Sequence, residues 1–133
     1  MPIELTWEDN ARTILRHTYK GEWTVAEFYE AVDGSRSLLL DVDHPVDLII
    51  DMREGPNPPK GITSAYQYAD RKVPANQRLI VMVNPSEYMR RFNRIVEGVA
   101  PRASKDRHVV ETVEDALRLI HELRSQLEQN ENI

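Results

Sequence analysis

Two short runs constrain this chain more than anything else in it: "VDLIIDM", Val46 to Met52, and "LIVMVN", Leu79 to Asn84. Each is apolar almost throughout and rich in β-branched residues, without the alternation of a strand that has one face in water. Strands of that kind belong in the middle of a sheet covered on both faces. The segment between them has helical periodicity from Ala65 to about Lys72 and is stopped by Pro74. A buried strand, a helix and a second buried strand form a crossover unit, so the two runs are expected to lie parallel.

The flanking segments extend the same pattern. Ile3, Leu5 and Trp7 alternate with polar neighbours, and "EDNA" separates them from a β-branched and aromatic run at Thr13 to Tyr19, which reads as an N-terminal hairpin. After Gly21 the period changes. Val25, Phe28, Tyr29, Val32, Leu39 and Leu40 recur at helical spacing, with Gly34 a point where the helix can break. Beyond Asn84 a further helix turns Met89, Phe92, Ile95, Val96 and Val99 inward. "HVVET" supplies an edge strand, and the last helix carries Val113, Ala116, Leu117, Ile120, Leu123 and Leu127 on one stripe.

Helix starts are marked by a recurring spacing: Thr24 with Glu27, Ser64 with Gln67, Asn84 with Glu87, and Thr112 with Asp115. In a capping box, side chains so spaced satisfy the first unpaired amides of a helix. The expectation is one α/β domain over residues 1–127 with a polar tail at 128–133. It is built on a mixed five-stranded sheet with four helices in the order β-β-α-β-α-β-α-β-α.

Composition removes several function classes. A chain of 133 residues fits one domain and can bury a core without staples. Its 17 Lys and Arg against 22 Asp and Glu, net charge -5, argue against nucleic-acid binding, which needs a positive face. No apolar run approaches the roughly 20 residues that span a bilayer, and no charged-then-apolar signal peptide opens the chain, so a cytoplasmic protein is expected. The absence of cysteine removes disulfides, thiolate nucleophiles and thiolate metal sites.

In sheets of this class ligands and partners meet the loops at the carboxyl ends of the strands. Those loops are Gly21 to Trp23, Arg53 to Ser64, Asn84 to Ser86 and Glu111 to Thr112, of which the second is the longest. Asp51 stands beside it where catalytic carboxylates often occur, but its simpler role is to accept hydrogen bonds from the loop backbone. Asp47 falls near the start of the same strand. Thr63 and Ser64 stand at a helix N-terminus that favours anions, and Ser64 is read first as its cap. His17, His44, His108 and His121 are scattered, "DVDH" at Asp41 to His44 is followed by Pro45 and reads as a solvated turn, and no metal site is expected. Lys60-Gly61 lacks the remainder of a phosphate-binding loop, so no cofactor is expected. Arg90, Arg91 and Arg94, with Arg102, Lys105 and Arg107 beyond, read first as a solvated face paired with acids such as Glu87 and second as a docking patch for an acidic partner. Trp7 and Trp23 read as core residues near an edge.

The order of elements, the "GEWTVAEFYEA" stretch that leads into the first helix, and the "VDLIIDM" and "LIVMVN" strands together resemble a STAS domain. More closely, the chain resembles the SpoIIAA-like STAS/SEC14-related proteins of bacteria, over about Ile3 to Leu123. The resemblance implies a non-enzymatic module that binds a protein partner, such as a regulatory kinase or phosphatase, or accepts a small apolar or nucleotide ligand. In the anti-sigma-factor antagonists of that family the strand before the second helix leads into Asp-Ser-Ser-Gly, whose serine is phosphorylated. Aligned by element, Thr63 and Ser64 fall near that place, which makes Ser64 the phosphoacceptor position, although "REGPNPPKG" stands where the motif would be.

The leading expectation is therefore an interaction module without catalytic residues. Its surface is built from Asp51, Arg53, Lys60, Thr63, Ser64, Asn84 and Ser86, and it is expected to form a homodimer. The rival is a small-molecule or lipid carrier in which the 53–64 loop lids an apolar pocket lined by Met52, Ile62, Tyr66 and Met82. An enzyme, motivated only by Asp51, ranks third.

Overall fold

A computed structural model describes residues 2–55 and 57–131. Its elements follow the expected order: β1 (Ile3–Trp7), β2 (Ile14–Lys20), α1 (Val25–Leu40), β3 (Val46–Glu54), α2 (Ile62–Arg71), β4 (Gln77–Val83), α3 (Glu87–Val99), β5 (Arg107–Val110) and α4 (Val113–Glu131). The sheet order is β1-β2-β3-β4-β5, antiparallel only between β1 and β2 and parallel thereafter. The two apolar runs are β3 and β4, side by side near the middle, as their lack of alternation requires. The hairpin loop is tied by Asp9, whose carboxylate accepts from the amides of Thr13 at 2.8 Å and Ile14 at 3.2 Å and from the Thr13 hydroxyl.

Alternate residues of each strand serve different layers. Tyr19, Met52 and Met82 pack with Phe28 and Ala31 of α1, Ile62, Ala65 and Tyr66 of α2, and Met89 and Val96 of α3. Ile14, Ile49, Val81 and Val83 point the other way, against Val113, Ala116 and Ile120 of α4. Three crossovers in one direction thus stack α1–α3 on one face, and α4 covers the other. On that second face Asp47, wholly buried, accepts from Arg78 Nε at 3.0 Å, Arg124 Nε at 2.7 Å and the Leu79 amide at 3.0 Å. Arg124 also donates to the Thr13 carbonyl at 2.9 Å, so one carboxylate joins β3, β4, α4 and the hairpin.

Local signals were read correctly at some helix starts and wrongly at others. Thr24 and Glu27 form the full capping box, and Thr112 Oγ1 accepts from the Asp115 amide at 3.0 Å. Ser64 does not cap α2. The helix begins earlier because Ile62, 4 % exposed, must turn into the core, and Gly61 takes the cap position at φ +83°, where a side chain is disfavoured. Asn84 does not cap α3 either, because its amide still donates to the Val110 carbonyl at 2.8 Å. Beyond Pro85, Ser86 makes the cap by accepting from the Met89 amide.

Gly34 does not break α1. Its missing side chain lets β1 close in, since a Cβ there would stand 3.0 Å from Leu5 Cδ1. Leu40 and Ile95, expected inside, are exposed, and Asn93 takes the inward place on α3. Helix α4 runs to Glu131, so part of the expected tail is helical; 132–133 lie outside the described residues.

Candidate functional site

The carboxyl edge of the sheet holds the loop expected to carry function, shortened to 55–61 by the strand and helix that flank it, with Pro56 outside the described residues. Arg53, Lys60, Thr63, Ser64, Asn84 and Ser86 are exposed there, and Ser86 Oγ donates to Asn57 Oδ1 at 2.8 Å, tying the loop to the start of α3. Asp51 is not with them. It lies inside β3, 2 % exposed, on the α4 face, and Arg53 grips it through Nε at 2.9 Å, Nη2 at 2.7 Å and its own amide at 3.2 Å. Arg16 adds a contact at 3.8 Å. Burial pushes the Asp51 carboxyl up, but the Arg53 hydrogen bonds outweigh it and hold the group below the usual carboxylate range. With both oxygens engaged by cations, Asp51 is neither a ready base nor a nucleophile.

The cavity lies elsewhere. It occupies the gap between the sheet and the α1/α2 layer, has a volume of about 90 Å³, and reaches the surface beside Lys72 at the turn from α2 into β4. That turn is at the amino ends of the parallel strands, opposite the 55–61 loop. Tyr66 and Met82 line it as expected. Met52 and Ile62 do not, because they pack in the same core nearer the other end. The cavity is thus not lidded by the loop, contrary to the sequence reading.

Its walls are mainly apolar, with polar groups set into them. His17 projects from β2, and its Nε2 lies 3.0 Å from Ser35 Oγ of α1, both residues buried. Burial drives the imidazole down to about 4, so it is neutral at neutral pH. The pair has the spacing of a nucleophile and its base, which eighteen residues of separation hid from a reading by motif. A base so weakened gives little activation, and among the described residues no carboxylate orients the ring. Tyr19 and Tyr66 also line the wall, and burial raises both phenols while the Arg107 charge opposes the shift. Neither hydroxyl hydrogen-bonds to another described residue.

Arg107 is the residue the sequence reading misplaced. Counted there among solvated cations, it turns its guanidinium inward from β5, where Nη1 donates to Asn93 Oδ1 at 3.1 Å and Nη2 reaches the Ala103 carbonyl at 3.5 Å. Its Nε is buried with no hydrogen-bond partner. Burial lowers its pKa, opposed by the two tyrosines and Glu97. The available signal was its position at the head of the "HVV" strand, where alternation gives every second residue to one face of the sheet.

No known family model and no curated protein matches this chain. No helix of the described residues is long and apolar enough to cross a membrane.

Proposed function

We propose that this protein is a small-molecule-binding module whose site is the cavity between the sheet and α1/α2. A single observation carries the reading: the Arg107 Nε, buried with no partner among the described residues, belongs to the wall of a mainly apolar space that Tyr19 and Tyr66 also line. Buried polar groups are normally paired, and leaving one unpaired costs about 1–3 kcal/mol, so an unpaired guanidinium N–H in the wall of a void favours a guest that pairs it. The resemblance to STAS/SEC14-related proteins is compatible with such a module. Native mass spectrometry of the purified chain is expected to show a co-purifying small molecule, or a ligand-dependent rise in melting temperature on screening. Val32→Phe, which fills the wall from α1, is expected to abolish either signal. Persistence of the signal in a folded Val32→Phe variant would exclude the cavity as the site.

A second reading, a module that pairs with another copy of itself, is favoured by the outer side of α3. Tyr88 and Ile95 are 55 % and 56 % exposed there, and Tyr88 stacks on Phe92 with ring centroids 6.4 Å apart. With Val99 they follow the four-three-four spacing along which two helices close on one another. Light scattering at rising concentration is expected to show a dimer that Ile95→Arg dissolves. A monomer throughout ends this second reading without touching the first.

A further inference from the structure

The charge on the cavity wall is one-sided. Arg36, Lys72 and Arg107 contribute to it and no Asp or Glu does, in a chain where acids outnumber Lys and Arg by 22 to 17. Arg107 is the innermost of the three. A guanidinium keeps its charge in any protein interior, and burying it is costly when, as here, its hydrogen bonds go to neutral groups and the nearby Glu97 makes none with it. Asn93 and the Ala103 carbonyl occupy one Nη each, the latter at the limit of a hydrogen bond, so the edge formed by Nε and Nη2 is under-used. That is the edge on which carboxylates sit side-on elsewhere in this molecule, as Asp51 does on Arg53 through Nε and Nη2.

We propose that the ligand is a small organic monocarboxylate, its head group on the Nε–Nη2 edge of Arg107 and within reach of the Tyr19 and Tyr66 hydroxyls, its hydrocarbon body along Val32, Ile50 and Ile80. The inference rests on the reading of the cavity as a ligand site. One buried cation matches one negative charge, whereas a phosphate dianion would enter a mostly apolar space with too few donors to replace its water. The volume sets the size of the body. At about 90 Å³ the space is smaller than the roughly 150 Å³ cavities that accept benzene. It therefore suits a short aliphatic chain, with Lys72 and Arg36 at the mouth to draw the anion in.

Titration of the full chain with butyrate, butyramide and inorganic phosphate, followed by the methyl resonances of Val32, Ile50 and Ile80, separates the outcomes. Butyrate is expected to bind on the order of tenfold more tightly than its neutral isostere, the margin of a charge-assisted over a neutral hydrogen bond. Arg107→Gln is expected to bring the two ligands level. If that variant does not fold, Tyr19→Phe with Tyr66→Phe is expected to weaken butyrate selectively. Equal binding of butyrate and butyramide, or tighter binding of phosphate, overturns the carboxylate assignment and leaves the cavity as a site. If none of the three ligands shifts the methyls and no co-purifying mass is found, both readings fall.

Discussion

Replacing Asp47 with alanine is expected to destabilise the fold by about 3 kcal/mol, read as a lower urea midpoint at an unchanged slope. The carboxylate is wholly buried, while Arg78 and Arg124 keep 30 % and 21 % of their side chains exposed. On its removal each guanidinium can turn partly to water, which places the loss at the lower end of the range for broken buried pairs. The buried Leu79 amide has no such escape. Burial raises the Asp47 pKa, but hydrogen bonds from Arg78, the Leu79 amide and Arg124 outweigh it and hold the group below its ordinary value of 3.8. A depressed carboxylate stabilises above its unfolded pKa, so this contribution is complete at neutral pH and is lost as pH falls below about 3.8. In the double variant with Arg124→Met the second loss is expected to be smaller than Arg124→Met alone, because the two groups act as one unit. A cost for Asp47→Ala under about 1 kcal/mol would show that the arginines are satisfied without it.

The sheet and its order were legible because they rest on averages over several residues. The unalternating runs at Val46–Met52 and Leu79–Asn84 leave few alternatives to central parallel strands, and helical periods on either side fix the connections. Helix starts at Thr24 and Thr112 were equally plain. What failed were single-residue assignments decided by packing. Ser64 lost the cap of α2 because Ile62 needed the core, and Ile95 was turned out because Asn93 held the inward position. The site failed for the same reason. Asp51 looked catalytic from its neighbours in sequence, yet its partner is Arg53 two residues on, on the same face of the strand. Arg107 looked solvated beside Arg102 and Lys105, and only the pairing of β5 with β4 shows that its side chain enters the layer under α1–α3. Cavities are made by residues far apart in sequence, here β2, α1, α2 and β5, and no local pattern records that meeting.

His17 is expected to make the protein lose about 3 kcal/mol of stability between pH 6.5 and 4. The ring is 8 % exposed and, among the described residues, hydrogen-bonds only with Ser35. The charged groups on the cavity wall around it, Arg36, Lys72 and Arg107, are all cations, with the Tyr19 and Tyr66 phenols neutral. Nothing on the wall rewards a proton on the imidazole, and burial alone takes its pKa from 6.5 down to about 4. The unfolded chain therefore binds a proton in this window that the folded chain refuses, and stability rises with pH across it. The slope belongs to a different interval from that of Asp47 and Asp51, whose depressed carboxyls act below 3.8. Urea midpoints across the two intervals are expected to fall in two stages on acidification, and His17→Gln is expected to flatten the upper stage while leaving the lower one in place. A wild-type midpoint constant from pH 6.5 to 4.5 would mean that the imidazole is protonated inside the fold, and the cavity would then have to hold a fourth cation.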